Sequence, residues 1–177
     1  TGANFHVLVV DEFEESLSYK NIAANSLSDI KEAYPEDYGL IEKYETDKAS
    51  KLRWALKPLW LKYLFEEKGC EKALFLDPDL YFYQDPAFLF DLLDDKNVIL
   101  TPHWRSSKPE IDAVNFDMLF TGGIYNAGFF GCSAKAIHVL DWWLRACSYK
   151  MSKEDGYYVD QVYLNLMPVY FAKDVAQ

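Results

Sequence analysis

Cysteine is scarce: Cys70, Cys132 and Cys147 are odd in number, widely spaced and free of any C-x-x-C pair. That excludes a disulfide framework and a zinc site of the usual spacing, and it points to a reduced, cytoplasmic protein. Positive charge is short as well. Against 28 Asp and Glu stand 18 Lys and Arg, a net charge of −10, which argues against a nucleic-acid partner because phosphate backbones call for a basic stripe. No apolar run approaches the roughly 18–20 residues of a transmembrane segment. The G-x-S-x-G elbow is missing and no cysteine has an identifiable base, so nothing supports a nucleophilic hydrolase. There is no P-loop ending, no G-x-G-x-x-G, no internal repeat and no low-complexity tract. An initiator Met and a basic, signal-like start are also lacking. The chain opens directly into Phe5–Val10 and stops soon after Met167–Phe171, which reads as a fragment of a longer domain cut at both ends.

Apolar residues are abundant. Half of the 177 residues are hydrophobic and 17% are aromatic, enough for one packed domain over residues 1–177 and incompatible with global disorder. Phe5–Val10 reads as a buried strand, followed by a polar stretch to about Asp47 with a helix around Asn25–Ala33. Leu56, Leu59, Trp60, Tyr63 and Leu64 recur at helical spacing, with Pro58 tolerated early and Gly69 as the stop. Ala73–Leu76 is a short central strand that ends at Asp77-Pro78-Asp79, and Leu80–Tyr83 is extended. Asp85-Pro86 starts a helix, and Val98–Leu100 is a strand ending in Thr101-Pro102-His103. A polar linker, Arg105–Glu110, and a weak helix to Phe120 precede a strand at Ile124–Gly131. A helix follows with Ile137, Leu140, Leu144 and Cys147 on one face. Strands alternating with helices predict an α/β fold on a mainly parallel sheet flanked by helices.

Asp77-Pro78-Asp79 is the first candidate site. With 16 Asp in the chain, chance alone supplies about one or two D-x-D triplets, so position carries the argument. In open α/β sheets, ligands bind beyond the carboxyl ends of strands, where this pair lies. Two carboxylates one residue apart suit a hard divalent cation, and Pro78 holds Asp77 extended. Six Asp and no Lys or Arg occur from Ala73 to Asp95, so no neighbour in sequence neutralises the charge; the alternative is a solvated acidic turn. Asn126, between small residues in Tyr125-Asn126-Ala127-Gly128-Phe129, permits close approach of a ligand to the backbone; a β-bulge explains the same pattern. Asp160-Gln161 reads locally as the start of a helix. His6, His103 and His138 share no metal-ligand spacing.

In this order, Lys57-Pro58-Leu59-Trp60, Leu74-Phe75-Leu76-Asp77-Pro78-Asp79, Tyr125-Asn126-Ala127-Gly128-Phe129 and Asp160-Gln161-Val162-Tyr163-Leu164-Asn165 resemble nucleotide-sugar glycosyltransferases of the GT-A fold. Within that fold the motifs resemble glycosyltransferase family 8 and bacterial enzymes similar to it, and the resemblance runs from Phe5 to Phe171. It implies a Rossmann-like, mainly parallel GT-A sheet, truncated at both ends. The implied reaction moves a sugar from a nucleotide-diphosphate donor, a UDP-sugar first, to a glycan, lipid-linked or protein acceptor. Asp77 and Asp79 match the D-x-D that holds Mn²⁺ or Mg²⁺ on the donor diphosphate. Asn126, with Gly128, matches the donor-sugar contact, and Asp160 and Gln161 match the catalytic pair facing the anomeric centre. Lys57 falls near the family's basic residue, and His103 joins the substrate-binding set. A third metal ligand, commonly a histidine, and a lysine-containing motif are implied beyond residue 177. Asp79, Asn126 and Asp160 are then expected in one pocket at one sheet edge, with Lys57 at its rim. Two readings compete. A haloacid-dehalogenase-type phosphohydrolase also uses an acid pair after a strand, but has Thr or Gly soon after the second Asp where this chain has Leu80-Tyr81. The other is a non-catalytic, transferase-like binding domain.

Overall fold

Ser26 joins the first two kinds of element in the chain. It ends β2 (Ile22–Ser26), which runs parallel to β1 (Phe5–Val9), and it caps α1 (Leu27–Ala33). The Asp29 N–H donates to the Ser26 hydroxyl and the Ser26 N–H donates to the Asp29 carboxylate, so two orphan donors of the first turn are satisfied reciprocally. The computed structural model describes residues 3–11, 20–47 and 50–176. After α2 (Pro35–Gly39) come α3 (Lys51–Glu66), β3 (Lys72–Leu76), α4 (Ala87–Asp95), β4 (Val98–Pro102), α5 (Ala113–Thr121), β5 (Tyr125–Ser133) and α6 (Ile137–Tyr149). A 3₁₀ turn at Val162–Leu166 leads into α7 (Met167–Tyr170).

The mainly parallel, Rossmann-like GT-A sheet expected from the sequence does not form. β3, β5 and β4 make a separate three-stranded sheet with β5 in the middle, antiparallel to both neighbours. Among the described residues, parallel pairing between strands is confined to β1 and β2, with one further parallel bridge from Val98 to Val175. The reason is topological. β3 and β4 do run in the same direction, joined by the crossover through α4, but they leave one strand position vacant between them. β5 fills it later from the opposite direction, and strand–helix alternation is identical whether or not that happens. Gly131 at the centre of β5 makes the close fit possible. A Cβ there would lie 3.0 Å from Leu74 Cδ2 and 3.2 Å from Ile99 Cβ.

Other expectations hold or shift locally. Asp85 accepts a hydrogen bond from the Ala87 N–H at 3.0 Å, but Pro86 rather than Asp85 is the N-cap of α4, so the helix starts one residue later than expected. β1 is half-exposed rather than buried, with Phe5 and Val7 facing solvent. β2 escapes sequence reading because Ile22-Ala23-Ala24-Asn25-Ser26 has no apolar alternation, and only Asn25 is buried. The main core gathers α3 and α6 with Phe130 and Cys132 of β5 and with Ile30, Tyr38 and Ile41. α3 buries Leu56, Leu59, Trp60, Tyr63 and Leu64, but also Ala55, Leu61 and Phe65, so it is enclosed nearly all round. A second, smaller cluster, Leu93, Ile99 and Phe129, lies beside α4. No helix among the described residues is long and apolar enough to cross a membrane.

Leu144, fully buried on α6, tests this core. Leu144→Ala is expected to cost about 2–5 kcal/mol in urea denaturation, and Gly131→Ala about 1–3 kcal/mol through overpacking against β3 and β4. Changes within about 0.5 kcal/mol would contradict the burial described.

Candidate functional site

One edge of the three-stranded sheet collects most of the polar residues singled out above. β3 delivers Asp77 just past its last residue, β4 delivers His103 just past its own, and β5 begins there with Tyr125 and Asn126. The Asp77 N–H donates to the Gly128 carbonyl at 2.8 Å, which extends the ladder by one residue and fixes the start of the acid pair.

Lys57 reaches this edge from the middle of α3 and is only 4% exposed. Its ammonium donates to the Ala127 carbonyl at 3.0 Å, lies 3.1 Å from Asp160 Oδ2 and 3.5 Å from Asp77 Oδ1, and sits 4.9 Å from the centre of the Phe75 ring. A buried ammonium is tolerated only when paired and hydrogen-bonded, and here both conditions are met. Lys57 is thus at the centre of the cluster, not at its rim. Asp160 is 1% exposed, and among the described residues Oδ2 has no aligned donor besides the nearby ammonium. Burial pushes its carboxyl above the usual carboxylate range, and the Lys57 charge opposes that shift. Its carbonyl is anchored by the Trp143 indole N–H at 3.0 Å. The preceding residue, Val159, has φ +44°, an outlier for a β-branched residue.

Gln161 knits the other side. Its Oε1 accepts from the Ala127 N–H at 3.2 Å and from His103 Nε2 at 3.1 Å, while its amide donates to the Gly122 carbonyl. With Gln161 oriented this way, His103 donates from Nε2. Burial, aided by Arg105, holds the His103 ring below its ordinary value against the opposing effect of Gln161. Nearby, Asn165 accepts from the Ile124 N–H at 2.8 Å and sits over Gly123, whose φ of +92° suits glycine.

Asp77 is 39% exposed at its side chain and meets Asn126 across Gly128. A Cβ on Gly128 would lie 3.0 Å from both Asn126 Oδ1 and Asp77 Oδ2, so glycine keeps a notch open between them. Asn126 accepts the Gly128 N–H at 2.9 Å, leaving its amide NH₂ without a partner among the described residues. Asp79 is exposed and makes no hydrogen bond or ion pair among the described residues; nothing links it to Asn126 or Asp160. Among the described residues, no three His, Cys, Asp or Glu side chains are grouped to hold a metal ion. At the notch the accessible carboxylate is that of Asp77, so a hard divalent cation there would complete its shell with water and phosphate oxygens rather than with protein alone.

Phe75, Trp143 and Val159 belong to this site but carried no signal in the sequence, since each is an apolar residue in an apolar setting. Gly122-Gly123 was the available clue to the turn that receives Gln161 and Asn165.

No protein-family model matches the sequence, and no solved structure matches it. The chain is 29% identical over 171 residues to an uncharacterized protein, YfnF, of Bacillus subtilis (strain 168), covering 93% of this chain and 56% of that protein. It therefore spans little more than half the length of this curated relative.

The Lys57–Asp160 pair makes a sharp prediction. Lys57→Met strands a buried carboxylate and is expected to cost about 3–5 kcal/mol. Asp160 already titrates above its unfolded value of about 3.9, and removing Lys57 raises the folded value further. Between those two values the folded state holds the extra proton, so stability falls as pH rises. The variant should therefore lose more stability at pH 8 than at pH 5 in parallel denaturation series; an equal loss at both would refute the pairing.

Proposed function

We propose that this chain carries the donor site of a cytoplasmic, metal-dependent glycosyltransferase of the family 8 type, acting on a nucleotide-diphosphate sugar, UDP-linked first. The observation that carries the reading is the convergence of Lys57, Asp77, Asn126, Asp160 and Gln161, with His103, at one sheet edge. These residues are scattered over more than 100 positions, and packing of a generic α/β domain gives them no reason to meet.

Asp77 and Asp79 would hold Mn²⁺ or Mg²⁺, which when bound neutralises the charge that grows on the diphosphate as the bond to the sugar breaks. Lys57, fixed in a low-dielectric setting, steadies the Asp77 carboxylate and adds positive potential without reorganising. Asn126 offers its free NH₂ to a donor-sugar hydroxyl, beside the notch kept by Gly128. Asp160 and Gln161 are committed here to Lys57 and to the Ala127–His103–Gly122 set. We read them as positioning residues, acting on the donor pocket through those partners.

Calorimetric titration with UDP, with MnCl₂ and then with EDTA, tests the reading. Binding is expected only with the metal, and Asp79→Asn should abolish it while leaving the melting temperature nearly unchanged, because an exposed carboxylate adds little stability. Metal-independent UDP binding would favour a non-catalytic binding domain. Hydrolysis of p-nitrophenyl phosphate without UDP binding would favour the phosphohydrolase.

A further inference from the structure

The loops that leave this sheet edge carry three large aromatic rings that the core does not use. Tyr81 is 78% exposed, Tyr83 93% and Trp104 92%. They are held rather than loose. Phe82, between the two tyrosines, packs into the cluster of Leu93, Ile99 and Phe129, so the loop alternates out, in, out. The Tyr81 and Tyr83 rings meet edge to face with centroids 5.0 Å apart. Trp104 is pinned on both sides. The His103 N–H donates to the Ile124 carbonyl and its ring to Gln161, while the Arg105 N–H donates to the His103 carbonyl and its guanidinium turns back to Met118 Sδ at 3.0 Å. Because β3 and β4 flank β5, the two loops leave the sheet about 10 Å apart, on the edge that bears Asp77 and Asn126.

Exposed rings of this kind stack on nucleobases, on apolar side chains or on the C–H faces of sugars. The surrounding charge decides among them. On the tyrosine loop no Lys or Arg occurs from Ala73 to Asp95, while Asp77, Asp79 and Asp85 stand beside the tyrosines, a setting that disfavours a phosphodiester chain; beside Trp104, the Arg105 guanidinium is turned to Met118 Sδ. Asp79 and Gln84, which flank the two tyrosines in sequence, are exposed as well and put hydrogen-bonding groups beside the rings. Flat apolar faces rimmed by hydrogen-bonding groups match a pyranose, whose ring face is C–H and whose edge is hydroxyl.

We propose that Tyr81, Tyr83 and Trp104 form a stacking platform for a neutral oligosaccharide, which makes the acceptor of this site a glycan; the acceptor role, though not the platform, rests on the transferase reading above.

The test uses the chain without donor or metal, titrated with maltohexaose, cellohexaose and chitohexaose and followed by saturation-transfer NMR and calorimetry. At least one hexasaccharide should bind, and Tyr83→Ala or Trp104→Ala should each weaken it about tenfold. Melting temperature and Mn²⁺-dependent UDP binding should not change, since these rings are exposed and lie outside the acid pair. Absence of hexasaccharide binding, equal binding by the Tyr83→Ala/Trp104→Ala double variant, or binding of oligo-dT or an apolar peptide in place of the sugars would overturn the platform. Sugar binding that depends on the rings in a chain that does not bind UDP would uphold the platform and remove the transferase reading instead.

Discussion

A buried ammonium is the constraint around which this structure is arranged. Lys57 sits in the wall of the main core, and its charge must be met there. Three further parts of the chain bring partners to α3: the end of β3 through Asp77 and Phe75, β5 through the Ala127 carbonyl, and the segment before Val162 through Asp160. Buried ion pairs of this type contribute little net stability compared with apolar replacements. What this one does is restrict how those four segments can be assembled, because any other arrangement leaves a charge unmatched.

The same pairing accounts for the local irregularities. Asp160 is held from behind by Trp143 and preceded by Val159 in a left-handed conformation, which costs of the order of 1–3 kcal/mol and persists because the partners on either side over-determine it. Gln161, next in sequence, turns the other way and locks His103 and the start of β5. Two adjacent residues thus organise opposite sides of one sheet edge. Solvent meets Asp77, Asp79 and the aromatic loops there, while the Lys57 ammonium is enclosed.

Much of the local structure was legible from residue pattern. The spacing of Leu56, Leu59, Trp60, Tyr63 and Leu64 announces α3, Asp85-Pro86 announces α4, and Leu140, Leu144 and Cys147 announce the buried face of α6. These signals are local, so tertiary context had little to override. β2 was not legible because a strand with one buried residue carries no period. The direction of β5 was not legible either, since a strand's alternation is the same read from either end. For the site, Lys57, Asp77, Asn126, Asp160 and Gln161 stood out as residue types in a familiar order, but their pairing did not: Lys57 was expected at the rim rather than buried against Asp160, and Phe75 and Trp143 read as plain core.

The sequence by itself determined where α3, α4 and α6 lie, which apolar residues of α3 and α6 face the core, and which polar residues merit attention. Those properties follow from neighbours a few residues apart. Only the tertiary structure decided that β5 enters between β3 and β4 in the opposite direction, that Lys57 is enclosed rather than peripheral, and that its counter-charge is Asp160, 103 positions away. Such choices depend on which distant groups compete for one strand position and one buried charge, and that competition is resolved only when the whole chain packs.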